Sequence, residues 1–224
     1  MRRALAVPLF ALALAGCGGG DERGETTTTS PPPPAETQSA TGCRDVEQPQ
    51  PRKPPTLPRP TAVLNVEKTY LLTFRTSCGD FTVQLDPQSS PKASASFLAL
   101  AQRDYFDGTY FHRIVPGFVI QGGDPTGSGT GGPGYSTVDT PAAGTTYTRG
   151  VVAMAKTAAE APGTAGSQFF IVTGADIGLP PDYAVVGRVV NGGNIVSRIG
   201  VLGDPNTELP LQPVVVDDVV VTVR

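Results

Sequence analysis

The sequence predicts a mainly β domain with two helices, its strands curling into a closed antiparallel barrel. Short apolar runs with period-two alternation recur from residue 70 onward, punctuated by Gly, Pro, Asn and Asp. Only two stretches carry helical spacing. So many apolar strands would expose sticky edges in an open sheet, and closure removes them. The hydrophobic share of 39% over 224 residues is low for one compact domain. The deficit is local, because the first sixty-odd residues hold most of the excess Pro and Thr. The remainder, about 155 to 160 residues, is enough to bury a sizeable core. Net charge is −3 and no basic cluster follows the N terminus, which argues against a nucleic-acid partner. Three Cys and one His supply no zinc ligand set, so no metal is expected.

Residues 1–16 read as an export signal. Arg2 and Arg3 precede an apolar run from Ala4 to Ala15, too short to span a bilayer as a helix. The sequence Leu14-Ala15-Gly16-Cys17 resembles a bacterial lipobox. That resemblance implies lipidation of Cys17 and a membrane anchor with more than one acyl chain. An ordinary secretory signal with a chance Cys is the alternative. Residues 17–65 read as a disordered Thr/Pro-rich tether, and residues 66–224 as the folded domain. GGGDERGETTTTSPPPPAETQSATG and PQPRKPPTLPRP cannot bury enough apolar surface to offset the entropy of ordering. With Cys17 acylated, Cys43 and Cys78 are the candidates for a disulfide, since exported thiols usually pair. Two free thiols remain the alternative, because nothing in the sequence fixes their separation.

Within the domain, residues 70–86 read as a hairpin. Tyr70, Leu72 and Phe74 alternate, as do Phe81, Val83 and Leu85, around a Cys78-Gly79-Asp80 turn. Ser90 to Arg103 reads as a helix with Ser90 at the N-cap and Pro91 at the first helical position. Ala93, Phe97, Leu100 and Ala101 fall on one of its faces. Two short strands flank Pro116-Gly117. Gly127, Gly129 and Gly132 formally match G-x-G-x-x-G, but Pro125 precedes and Pro133-Gly134 follows, so no helix can start there. A surface loop is expected instead. Further strands are expected at 150–156, 167–173, 183–190 and 213–224, with a second short helix at 192–200.

Two stretches carry the chemistry: FHRIVPGFVIQGGD, residues 111–124, and VVAMAKTAAEAPGTAGSQFFIVTGAD, residues 151–176. In order and spacing they resemble the signatures of the cyclophilin-type peptidyl-prolyl isomerases. The resemblance implies an eight-stranded barrel capped by two helices, no cofactor, and proline-containing polypeptides as partners; we expect a monomer.

Rotation about an X-Pro bond meets a barrier of about 18–20 kcal/mol from amide resonance, and uncatalysed exchange takes roughly 10–100 s. Turnover near ~10³ s⁻¹ requires a gain of about 7 kcal/mol. No bond is made or broken, so neither nucleophile nor general base is needed. The site requires an apolar grip on the proline ring, a donor that favours a pyramidal prolyl nitrogen, and partners that hold the flanking peptide. By resemblance, Arg113 is that donor, and its guanidinium is permanently charged. Phe118, Val119, Phe170 and Leu179 match positions lining the proline pocket. Gln121 and Gln168 match amides that contact substrate, Gln121 also steadying the Arg. Ala155 and Lys156 lie on the strand offered to the substrate backbone, and His112, abutting Arg113, is expected to reach bound peptide, although a lone His is more often structural.

The chain departs from the family pattern in three places. Lys156 stands where Asn is usual, Tyr183 where well-known members carry His, and Gly178 where they carry Trp. The family links that Trp to cyclosporin, so weak drug affinity is expected. The functional expectation is an isomerase assisting the folding of exported proteins, anchored in the cell envelope outside the cytoplasm. A catalytically weak proline-motif binding module is the alternative. A serine hydrolase is excluded by the lack of a G-x-S-x-G elbow.

Overall fold

The computed structural model describes residues 39–224. The export signal at 1–16, Cys17 and the tether up to residue 38 lie outside the described residues. The elements run β1 (Tyr70–Thr76), β2 (Gly79–Leu85), α1 (Pro91–Ala101), β3 (Arg113–Val115), β4 (Val119–Gly122), β5 (Thr137–Val138), β6 (Val151–Met154), β7 (Thr164–Ala165), β8 (Phe169–Val172), β9 (Val185–Asn191), α2 (Gly193–Ile199) and β10 (Val216–Val223). Eight strands form one antiparallel sheet in the order β10-β1-β2-β9-β6-β8-β4-β3, while β5 and β7 pair separately. The expected hairpin is β1–β2, and both expected helices are present. The two-residue strands β5 and β7 carry too few residues for any periodicity to reveal them.

Period-two alternation divides the sheet's side chains between two apolar clusters. Leu72, Phe74, Phe81, Val83, Ile120, Val152, Phe169 and Ile171 enter the main core, joined by Phe97 and Leu100 of α1 and Val196 and Ile199 of α2. Rings mesh at its centre, with Phe74 stacked on Phe81 at 5.0 Å and Phe169 edge-on to Phe97 at 5.1 Å. Their neighbours along the strands, Val119, Val151, Ala153, Phe170 and Val172, point the other way and form a second cluster with Tyr147.

The barrel closes more loosely than a continuous ladder would. Strands β3 and β10 end the sheet order without pairing to each other. The chain just before each of them meets instead, through the Tyr110–Val215 bridge and the Phe111 N–H to Val214 carbonyl bond of 3.0 Å. Alongside β3, the Ile114 N–H donates to the carbonyl of Glu208, a loop residue, at 2.9 Å. Pro210 and Pro213 deprive this approach to β10 of the N–H groups a ladder needs.

Two expectations are corrected. Ser90 sits at the N-cap of α1 but its side chain makes no capping bond. Asp139, 47 positions on from Lys92, takes that role, its Oδ2 accepting the N–H groups of Lys92 and Ala93 at 2.8 and 2.7 Å. The second correction concerns the tether, whose residues 39–65 lie along the domain. The Cys43 and Cys78 sulfurs are bonded. Arg44 pairs with Asp217, and Arg52 donates to the carbonyls of Tyr105 and Asp107 at 2.7 and 2.9 Å. The Leu57 N–H reaches the Pro133 carbonyl at 3.0 Å, and Leu57 and Leu64 pack on the main core. Composition argued for disorder because the segment cannot build a core of its own. It borrows the domain's core, and the disulfide lowers the entropy lost in doing so.

Candidate active site

Strand register assembles the site. Across β3, β4, β8 and β6, Arg113 stands opposite Gln121, Gln121 opposite Phe170, and Phe170 opposite Ala153. Opposed residues on neighbouring antiparallel strands present side chains to the same face. The four therefore form a row on the face turned away from the main core, running from a cation through an amide to an apolar surface.

At the polar end, hydrogen bonds fix each group in turn. Arg113 Nε donates to Glu208 Oε2 at 2.6 Å, and Nη1 donates to Gln121 Oε1 at 3.3 Å. Gln121 Nε2 donates to Gln168 Oε1 at 3.1 Å, and Gln168 Nε2 to the Gly131 carbonyl at 3.0 Å. Each amide is thereby oriented, with the Gln121 oxygen facing the guanidinium. The Nη2 donors of Arg113 have no hydrogen bond to any described residue.

At the apolar end, Phe118, Ala155, Leu179 and Tyr183 pack half-buried against the second cluster. Tyr183 meets Phe170 edge-on at 5.4 Å, and both rings adjoin Tyr147 beneath them. The Tyr147 hydroxyl donates to the Tyr183 carbonyl at 2.8 Å and accepts its N–H at 2.9 Å. Burial raises the Tyr147 pKa above the ordinary tyrosine value, offset in part by that bond to Tyr183. The residues expected to grip a proline ring thus share one surface, with Val119 and Phe170 its most buried members.

Beyond Gln121 lies a groove of about 500 Å³ lined by Gln121, Gln168, Ala155, Lys156 and the glycine-rich loop 129–134. Lys156 Nζ sits 5.5 Å from the centre of the Tyr183 ring and donates to the carbonyls of Thr157 and Glu160, each at 3.2 Å. The loop is built on Asp124, which is fully buried. Its carboxylate accepts N–H bonds from Thr126, Gly129 and Gly131 and the Thr126 hydroxyl. Burial pulls the Asp124 pKa upward, but these donors outweigh it and hold it below the ordinary carboxylate value. Gly123 precedes it at φ +84°, where an added Cβ would lie 2.4 Å from the Ser167 carbonyl oxygen. A larger groove, about 880 Å³ between residues such as Gln84, Asp86, Pro141 and Arg188, contains none of these residues.

His112 is less involved than its neighbour. Its ring is buried and neither nitrogen has a hydrogen-bond partner among the described residues. Burial depresses its pKa and the charge of Arg113 adds to the effect, while the charge of Asp124 and the nearby Gln168 amide oppose it. Gly178, which stands where the resemblance puts a Trp, is exposed at φ +61°, and a Cβ added there would meet no atom within 4 Å. Among the described residues, no three His, Cys, Asp or Glu side chains group as metal ligands.

Register, row and pocket bring together Arg113, Phe118, Val119, Gln121, Ala155, Lys156, Gln168, Phe170, Leu179 and Tyr183. Sequence reasoning missed Glu208, Tyr147 and the structural role of Asp124. Asp124 closes the first quoted motif, and a carboxylate ahead of a glycine-rich loop could have marked it. Glu208 lies 95 positions from its partner, and no local pattern announces it.

A sequence model of the cyclophilin type peptidyl-prolyl cis-trans isomerase/CLD family matches residues 71–221. The chain is 38% identical to peptidyl-prolyl cis-trans isomerase B of Streptomyces anulatus over 172 residues, covering 68% of this chain and 96% of that one. It is 40% identical to peptidyl-prolyl cis-trans isomerase-like 1 of Emericella nidulans over 147 residues, 64% of this chain and 89% of that one. Among solved structures, it resembles a Cryptosporidium parvum cyclophilin type peptidyl-prolyl cis-trans isomerase crystallised in the presence of the dipeptide Ala-Pro. The TM-score is 0.62 and the identity 32%, with 68% of this chain and 98% of that one covered.

Proposed function

The chain belongs to the cyclophilin-type peptidyl-prolyl cis-trans isomerases, and from that premise we propose that it acts at the cell envelope, outside the cytoplasm, on exported proteins. The support is the N-terminal sequence: a basic start, an apolar run, and Cys17 directly after Ala15-Gly16. A disulfide between Cys43 and Cys78 suits an oxidising compartment. In this reading Cys17 carries the lipid, and the segment after it links the anchor to the domain.

The same reading assigns the site. The proline ring rests on Phe118, Val119, Phe170, Leu179 and Tyr183. Arg113 directs its unengaged Nη2 donors at the prolyl nitrogen. As that nitrogen becomes pyramidal its lone pair leaves conjugation and becomes a better acceptor, so the hydrogen bond strengthens in the transition state. Gln121 holds the guanidinium by its oxygen. Gln168 and the main chain at Ala155 and Lys156 hold the flanking peptide. Because main-chain atoms make the contact at Lys156, its departure from Asn leaves the rotation step intact.

The observation that carries the assignment is the cross-strand row Arg113–Gln121–Phe170–Ala153. NMR exchange spectroscopy on an Ala-Pro peptide tests it. Wild-type protein is expected to give cis–trans cross-peaks, and Arg113→Ala to lose about 10²-fold or more in rate while remaining folded. Peptide binding without exchange in the wild type would identify a proline-motif binding module instead. For the anchor, Cys17→Ala is expected to release the protein from the membrane fraction of an expressing bacterium; retention of the mutant would refute lipidation there.

A further inference from the structure

Glu208 is set against Arg113 by the loop between Gly203 and Pro210. The carboxylate meets Nε at 2.6 Å. With 34% of the Arg113 side chain and 44% of the Glu208 side chain exposed, the pair adds little to stability, so its consequence lies in orientation. The loop is fixed to the sheet at the neighbouring residue, where the Glu208 carbonyl accepts the Ile114 N–H at 2.9 Å. Behind it, the Glu208 N–H donates to the Asp204 carbonyl at 2.8 Å, and the Asp204 carboxylate accepts the N–H groups of Asn206 and Thr207. A bridge between Gly203 and Pro210 closes the loop. Within this frame Glu208 adopts φ +61°, a left-handed conformation unfavourable for a residue with a Cβ. Such conformations persist where the surrounding structure over-determines them, and they concentrate at functional sites.

The guanidinium has three donor nitrogens, and their partners divide it. Glu208 takes Nε, Gln121 takes one Nη1 proton, and the Nη2 donors have no partner among the described residues. A single partner would let the planar group swing about the Cδ–Nε and Cγ–Cδ bonds. Partners at two different nitrogens fix both its plane and the direction of the third.

We infer that Glu208 is a positioning residue for proline isomerisation, holding the Arg113 guanidinium so that Nη2 faces the prolyl nitrogen. The inference rests on the reading of Arg113 as the residue that donates to that nitrogen. Glu208 touches no substrate and acts through Arg113 alone.

The test compares wild type, Glu208→Gly, Glu208→Gln and Arg113→Ala, each followed by kcat and KM on an Ala-Pro peptide, by melting temperature, and by the Arg113 Nε–Hε NMR signal. Glycine suits the left-handed backbone, so Glu208→Gly keeps the fold while removing the carboxylate. A purely structural role predicts that this variant keeps wild-type kcat. Positioning predicts a fall in kcat of about tenfold with KM nearly unchanged, because the lost alignment matters at the transition state. The shifted, slowly exchanging Hε signal disappears in Glu208→Gly, and Glu208→Gln, which keeps an acceptor oxygen, restores part of both signal and rate. Wild-type kcat in Glu208→Gly, with Arg113→Ala inactive, overturns the inference and leaves the reading of Arg113 standing. Wild-type rate in Arg113→Ala overturns both.

Discussion

Two adjacent residues of the motif, His112 and Arg113, meet opposite environments. Among the described residues, one is enclosed with no hydrogen-bond partner, while the other holds two and leaves its Nη2 donors unengaged. The enclosed one sets a pH limit. Folded His112 favours its neutral form, since burial depresses its pKa. The unfolded chain takes up that proton near pH 6.5, the ordinary value. Between the two values the unfolded state binds more protons, so stability falls as pH drops below about 6.5 and levels off under the folded-state pKa. Melting temperature against pH is expected to slope downward from pH 7 to pH 5 in wild type. In His112→Asn the part of that slope due to the imidazole should vanish; an identical slope in both proteins would place the proton uptake elsewhere. Adjacency to Arg113 suggests that His112 reaches bound peptide, whereas its side chain is largely buried, next to the loop carried by Asp124.

Elements show where local rules reach and where they stop. Alternation alone located β1 and β2, because one face of each strand must enter the core. It also explains why Phe169 and Phe170, adjacent in sequence, serve different clusters. The start of α1 follows the local rule in position, with Ser90 at the N-cap and Pro91 at its first residue, but not in the capping bond itself. Its first free N–H groups are satisfied by Asp139 from the far side of the motif region. Replacing Asp139 by Ala is expected to lower stability by about 1 kcal/mol, read as a lower denaturation midpoint with unchanged slope. Replacing Ser90 by Ala, whose hydroxyl makes no capping bond, tests the converse: a larger loss there than at Asp139 would contradict this assignment of the cap.

At the scale of the whole molecule, the segment 39–65 belongs to the domain rather than to the spacer. The Cys43–Cys78 bond closes a separation of 35 residues, for which chain-entropy reasoning gives about 3–4 kcal/mol. Cys43→Ser with Cys78→Ser is expected to lower the unfolding free energy by an amount of that order in urea titration, while leaving the Ala-Pro exchange rate of folded protein within about twofold. A matching loss of exchange rate in the folded protein would show that the strap also shapes the site, through its contacts with Pro125 and Pro133.

The sequence by itself determined the class of fold, the family and which residues would meet at the candidate site. Period-two runs declare which faces are buried, and two long motifs keep Arg113, Gln121, Gln168 and Phe170 in a recognisable order. These are short-range properties, written into residue type and spacing. Only the tertiary structure decided that the barrel's ends meet through a bridge and a proline-bearing loop. It alone brought Asp139 to the start of α1, folded the strap onto a core it could not build for itself, and set Glu208 against Arg113. Each of these joins groups distant in the chain, and contacts of that kind depend on where the sheet's curl carries its edges, which no local spacing encodes.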